Sequence, residues 1–224
     1  MTEAEARSAI VAGALELERL GLNHGSAGNL SLRLGESALV TPSGVPAREL
    51  APEMIARMRI DEKSGAFEGP LPPSSEWRFH LDVYRARLDV NAVAHMHSTY
   101  ATTLACLRRE IPAVHYMIAA FGGPTVPCVG YASYGTPELS ALVVEGLKDR
   151  DAVLLANHGA IVTGEDMRKA LWRAVELEAL AQVYYLAATA GEPVVLPDDE
   201  IWRTVERFRN YGPRVKVATP SGPA

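Results

Sequence analysis

The sequence has little cysteine. Cys106 and Cys128 are the only two in 224 residues, and they do not form a Cys-x-x-Cys pair, which excludes the regularly spaced framework of a small secreted domain. Both thiols are expected to be buried and structural. Positive charge is also scarce: 22 Lys+Arg against 27 Asp+Glu give a formal charge of −5. Neither nucleic acid nor an anionic membrane is an expected partner, because binding to either takes a surplus of cationic side chains. No long apolar run is present. The most apolar helical stretch, Ala179 to Ala190, contains Gln182 and is shorter than the ~20 residues a membrane span needs. The start places Glu3 and Glu5 where a signal peptide would be basic, so a cytoplasmic location is expected.

What the chain does have is material for a core. It is 48% hydrophobic and 22% charged, within the globular range and far from the disordered one. Its length suits one domain, expected over residues 1–214 and followed by a flexible tail, 215–224, with Pro220, Ser221, Gly222 and Pro223. Thr2 and Glu5 fit a capping box that opens a helix over 2–20. Leu30, Leu32 and Leu34 alternate with polar residues and, with Ala38 to Val40, predict a hairpin with one buried face. Met54 to Ile60 reads as a strand. Ser74 or Ser75 caps a helix to about Arg87 with Trp77, Leu81, Tyr84 and Leu88 on its apolar side. Strands are expected at 91–96, 153–155 and 160–162, and helices at 99–108, 137–149, 166–190 and 197–210. This interleaving predicts an α/β fold with a mixed sheet covered by helices on both faces.

Chemistry concentrates in a few segments. Residues i and i+2 of an extended chain share a face, so His95 and His97 present two imidazoles side by side, as a chelating pair does. His158, in Asn157-His-Gly159 at the end of an apolar strand, is a candidate third ligand. Three imidazoles suit a catalytic zinc that keeps a position open for substrate. Glu76 lies on the first turn of its helix, where the dipole favours a carboxylate. Ser74 and Ser75 precede it at a helix N-terminus able to receive an anion, and Gly28-Asn-Leu-Ser31 and Thr41-Pro-Ser-Gly44 are two more small, polar, glycine-bearing segments.

In order along the chain, Gly28-Asn-Leu-Ser31, Thr41-Pro-Ser-Gly-Val-Pro46, Leu71-Pro-Pro-Ser-Ser-Glu-Trp-Arg-Phe-His80, His95-Met-His97, Ile111 to Ala120, Tyr131 to Thr136, Asn157-His-Gly159 and Arg209-Asn-Tyr-Gly212 form a recognisable set. From about Gly13 to Arg214 the sequence resembles the class II, metal-dependent aldolases of the L-fuculose-1-phosphate aldolase type, a family that also holds L-ribulose-5-phosphate 4-epimerase and the adducin head.

The resemblance implies a three-layer α/β/α fold with a central mixed, largely antiparallel sheet, and a homotetramer with active sites at subunit interfaces. It implies zinc, with Co2+ or Mn2+ as substitutes, on His95, His97 and His158, with Glu76 approaching the metal and serving as acid/base. Asn29, Ser43, Gly44, Ser74 and Ser75 fall on the family's phosphate pocket. Tyr116 and Tyr211 fall on tyrosines that reach the site from a neighbouring subunit, the first as proton donor to the aldehyde oxygen. Tyr134 stands where a phenylalanine lines the aldehyde end, Asn157 replaces a histidine, and Pro73 is an added proline. The implied reaction is reversible cleavage of a ketose 1-phosphate to dihydroxyacetone phosphate and a small aldehyde such as L-lactaldehyde. The competing outcomes of the same site are 4-epimerisation of a pentulose 5-phosphate and dehydration or decarboxylation of another phosphosugar.

Overall fold

The computed structural model describes residues 1–209; Tyr211 and the expected tail at 215–224 lie outside the described residues. The capping box is present: the Thr2 hydroxyl accepts the Glu5 N–H and the Glu5 carboxylate accepts the Thr2 N–H, opening helix α1 (Glu3–Arg19). Strands β1 (Asn29–Leu34) and β2 (Ser37–Val40) form the hairpin. Strand β3 (Ala56–Arg59) begins later than expected, because Pro52–Met54 first makes a 3-10 turn that proline's fixed φ favours. Then come α2 (Trp77–Ala86), β4 (Ala92–Met96), α3 (Thr99–Cys106), β5 (Cys128–Val129), α4 (Pro137–Gly146), β6 (Ala152–Leu155), β7 (Gly159–Gly164), α5 (Met167–Ala190) and α6 (Asp198–Arg209).

The seven strands form one sheet in the order β3-β2-β1-β4-β7-β6-β5. Every pairing is antiparallel except β5 with β6. Period-two alternation splits the sheet's side chains between two cores. Leu30, Leu32, Ala92, Ala94, Met96, Ala160 and Val162 pack with α1, α3, α5 and α6. Ala38, Val40, Val93, Val153, Leu155 and Ile161 pack with Phe79, Leu81, Val83 and Tyr84 of α2 and Leu139 and Val143 of α4. The expected three-layer architecture results, and His95, two residues from Val93, lies on the α2 side.

Four local expectations need correction. The β1 hairpin is buried on both faces at its start, since Asn29 and Ser31, placed by alternation on the wet side, lie under α2. Leu88 is exposed, because α2 ends at Ala86 and Arg87 leaves helical geometry. Glu76 is the residue before α2 rather than part of its first turn, and its side chain caps nothing. Cys106 is exposed and Cys128 half-buried. Ala101, Leu104 and Ala105 take the inward stripe of α3 and leave Cys106 at its outer end.

Candidate active site and metal centre

Antiparallel pairing brings the histidines together. Asn29 is the register partner of His95 on one side of β4, and Ile161 on the other. Met96 pairs with Ala160, so the β6–β7 turn that carries His158 arrives beside the end of β4. That turn needs a residue in the left-handed region, and Asn157 supplies it at φ 56, a conformation asparagine tolerates better than most side chains. The Asn157 N–H donates to the Ala105 carbonyl, and its Oδ1 accepts from Arg108 Nε, both at 3.1 Å. Gly159 completes the approach: a Cβ there would lie 2.5 Å from the Met96 carbonyl oxygen and 2.8 Å from the His97 ring.

One ligand nitrogen from each of His95, His97 and His158 lies within 4.8 Å of the other two. The His95 Nδ1–H donates to the Ala160 carbonyl at 3.0 Å, which leaves the Nε2 lone pair directed inward. Burial keeps the ring neutral, its pKa pushed down to about 3, with His97 adding to the shift and the Ala160 bond opposing it. His158 is pushed down to about 4, first by burial and then by His95, against the pull of Glu76. His97 is lowered by burial, also against Glu76.

Glu76 closes the cluster. Its Oε2 lies 3.3 Å from His95 Nε2 and its Oε1 3.4 Å from His158 Nε2. With the rings neutral these are not ion pairs, and Oε1 is buried without any hydrogen-bond partner. A carboxylate oxygen facing an imidazole lone pair is reconciled only by a cation or proton between them. The donor set therefore fits a divalent metal, and three nitrogens with a carboxylate suit zinc-like ions better than magnesium or calcium.

Two groups that the sequence reading did not name hold this cluster. Asn23 acts as a short substitute strand, its Oδ1 accepting the His97 N–H at 2.9 Å and its amide reaching the His95 carbonyl at 3.5 Å. Gly28 leaves the room, since a Cβ there would collide with the Asn23 side chain. Glu178 of α5 accepts from the Ser98 hydroxyl and from the N–H groups of Tyr100 and Ala101. It thereby caps α3 immediately after His97, in place of a cap from Ser98 itself. Neither residue has a local sequence signal, because each acts across more than 70 positions.

Beside the cluster opens a cleft of about 370 Å³ lined by Ser26, Ala27, Gly28, Asn29, Pro42, Ser43, Gly44, Ser74, Ser75, Glu76, His97, Tyr134 and His158. Two loops build it: Pro42 bridges Pro73, and the Ser74 N–H donates to the Thr41 carbonyl. Within the cradle the Ser75 N–H is taken by Ser43 Oγ and the Glu76 N–H by Ser74 Oγ. The serines, Asn29 and Gly44 then make up the polar part of the lining, and among the described residues no lysine or arginine lines the cleft. Tyr134, 71% exposed, stands at the rim. Gly135 places it there, its Cα packed so closely on the Ser75 carbonyl that a Cβ would come within 2.7 Å.

The sequence-derived cleft residues thus meet in one place, with one described exception. Tyr116 lies on a 3-10 segment, Tyr116–Phe121, half-exposed, with its ring 6.4 Å from that of Phe208 on α6. It does not line the cleft of its own chain.

Comparison with known proteins agrees with this picture. The sequence model described as Class II Aldolase and Adducin N-terminal domain matches residues 8–185. The chain is 47% identical over 208 residues to an L-fuculose phosphate aldolase of Escherichia coli (strain K12), covering 92% of this chain and 95% of that one. It is 44% identical over 214 residues to a 5-methylthioribulose-1-phosphate/5-deoxyribulose-1-phosphate aldolase of Rhodospirillum rubrum, covering 96% of each. A solved L-fuculose 1-phosphate aldolase superposes with a TM-score of 0.89 at 39% identity, over 93% of this chain and 98% of that one. With the fold, the clustered histidines and near full-length identity in agreement, the chain belongs to the class II aldolase and adducin N-terminal domain family.

Proposed function

We propose that the protein is a class II aldehyde-lyase that reversibly cleaves a ketose 1-phosphate into dihydroxyacetone phosphate and a small aldehyde such as L-lactaldehyde or acetaldehyde. The observation that carries this reading is the buried, unpartnered Glu76 Oε1, set against His158 in the cluster of three neutral imidazoles, at the wall of a cleft lined by serines. Such a site would hold a metal beside a proton-transfer group and an anion cradle in one cleft. The relatives named above are aldolases rather than epimerases, which favours separation of the two products over their rejoining.

His95, His97 and His158 would hold the metal, with Glu76 at its side; zinc is our assignment, with Co2+ or Mn2+ as substitutes. When bound, the ion supplies Lewis-acid stabilisation of negative charge developing on the substrate oxygens. Asn29, Ser43, Gly44, Ser74 and Ser75 bind the phosphate and so fix which carbon lies beside Glu76. Cleavage breaks the C3–C4 bond and leaves its electron pair on C3, next to the ketone. The C4 hydroxyl loses its proton to become the aldehyde, and Glu76 delivers a proton to C3.

The partner for the C4 proton is Tyr116 of a neighbouring subunit, with Tyr211 assigned as a second catalytic tyrosine and Tyr134 lining the aldehyde end. A half-exposed Tyr116 outside its own cleft suits a residue that serves the next one. This requires a homo-oligomer, a tetramer in our reading, acting on a phosphorylated ketose in the cytoplasm. Among the described residues no helix is long and apolar enough to cross a membrane.

The test is to measure bound metal by elemental analysis and then assay L-fuculose 1-phosphate, 5-deoxyribulose 1-phosphate and a pentulose 5-phosphate in parallel. Release of dihydroxyacetone phosphate from a ketose 1-phosphate, abolished by His97→Ala together with metal loss, is expected. Metal-replete protein that epimerises the pentulose phosphate and cleaves neither 1-phosphate would overturn the proposal.

A further inference from the structure

A buried polar chain runs behind the cleft, and the proposed mechanism leaves most of it unused. Tyr84 Oη lies 2.7 Å from Ser31 Oγ, and Ser31 Oγ lies 2.7 Å from His80 Nδ1. On the other side of the ring, His80 Nε2 lies 2.6 Å from Asn29 Oδ1, and the Asn29 amide nitrogen reaches Glu76 Oε2 at 2.9 Å. All five residues are buried, and Ser31, His80 and Tyr84 are fully so. His80 and Tyr84 share a face of α2, four positions apart, and Asn29 and Ser31 share a face of β1, two positions apart.

The direction of every bond follows from its end. An ionised carboxylate only accepts, so Asn29 must turn its amino group to Glu76 and its carbonyl oxygen to His80. His80 must then donate from Nε2, which leaves Nδ1 as acceptor. Ser31 must give its proton to Nδ1 and accept the Tyr84 hydroxyl. The Tyr84 hydroxyl lies 2.7 Å from Ser31 and 3.5 Å from the Asn91 carbonyl, so the nearer bond is the one it makes along the chain.

We infer that His80 is a positioning residue, held as its Nε2–H tautomer by Ser31 and Tyr84 so that Asn29 keeps its amino edge toward Glu76 and the anion cleft. Without that donor the Asn29 amide is free to rotate and present its carbonyl oxygen to a carboxylate and a phosphate, an unfavourable edge for either anion. Burial, with His95 adding to it, pushes the His80 pKa down to about 3, which agrees with a neutral ring at neutral pH. The inference deepens the aldolase reading, and it rests on that reading only where turnover is concerned.

Two measurements without substrate test it. Nitrogen-15 NMR of the imidazoles should show His80 as the Nε2–H tautomer at neutral pH. Inorganic phosphate should bind His80→Phe, of similar bulk, about tenfold more weakly than wild type, as expected for one misdirected buried hydrogen bond, at unchanged metal content. His80→Gln, whose amide nitrogen reaches toward the Nε2 position, should recover most of that loss. A purely space-filling His80 predicts that Phe serves as well as Gln. An Nδ1–H tautomer in the wild type, or a folded His80→Phe protein with wild-type phosphate affinity, would overturn the inference. If His80→Phe does not fold, the tautomer and the ratio of phosphate affinities between wild type and His80→Gln decide. Turnover is read last: a wild-type enzyme that cleaves no ketose phosphate sinks the aldolase reading and leaves both measurements standing.

Discussion

The Cα of Gly159 packs against the carbonyl oxygen of Met96 so closely that a methyl group built on it would sit 2.5 Å from that oxygen. Backbone cannot swing aside as a side chain can. Gly159→Ala should therefore separate the β6–β7 turn from the end of β4, lowering stability by about 1–3 kcal/mol and moving His158 away from His95 and His97. Urea unfolding together with metal analysis checks both effects. A stable Ala variant with a full complement of metal would show that the close approach has no part in metal binding.

The cradle serines give a second expectation. Ser43 Oγ accepts the Ser75 N–H at 2.9 Å, and Ser43 lines the cleft with its own proton still available to donate. Replacing Ser43 with alanine removes one donor to a charged ligand, which should cost about 1.5–3 kcal/mol of binding, while the exposed Ser75 amide turns to water. That loss should appear as a raised KM for a phosphorylated ketose, with little change for the unphosphorylated sugar. Equal effects on both would mean that Ser43 only ties the loops together.

Tyr116 offers a test of sharing between subunits. Tyr116→Phe should retain metal and lose most cleavage, and His97→Ala should lose both. Mixed under conditions that exchange subunits, the two inactive proteins should regain activity, because some clefts then combine an intact triad with an intact tyrosine. No recovery with demonstrated exchange would place the tyrosine's role, if any, within one chain.

Acid stability follows from the histidines. In the unfolded chain they take up protons near their ordinary pKa of about 6.5, whereas burial holds His80 and His95 at about 3 and His158 at about 4. The unfolded state thus binds more protons over that interval, and stability falls as pH drops. Metal-free protein should lose stability steadily from pH 7 to pH 5, up to about 1.4 kcal/mol per pH unit for each such ring. Urea midpoints across this range measure it. His80→Gln should flatten the slope, and a midpoint constant from pH 7 to 5 would contradict the burial of the rings.

What could be read from the sequence divides along sequence distance. The His95 and His97 pair, the serines before Glu76 and the capping box at Thr2 are local patterns, and the structure shows them where the chain order implies. Asn29 and Ser31 misled the alternation argument, because alternation assigns polar residues to water and cannot see that α2 lies over them. His80 stood in a recognised motif without a role, since its partners are 49 and 51 positions away. Asn157 stands in the sequence as a replacement of a histidine in the aldolase pattern, with no role attached. Its φ of 56 and its bonds to Ala105 and Arg108 make it the hinge of the turn that presents His158.

Among the described residues the cleft lining is serine, asparagine and glycine rather than lysine or arginine, which bears on how the phosphate would be held and released. A phosphate gripped by guanidinium or ammonium groups pays for its tight capture with slow escape, and its hold weakens steeply as salt screens the charges. Hydroxyls and amide dipoles hold the same group through short-range contacts that ionic strength barely touches. A reversible enzyme benefits from that arrangement, because neither direction of the reaction is trapped behind a sticky ligand. The contribution of the phosphate group to binding should accordingly change little between dilute buffer and physiological salt.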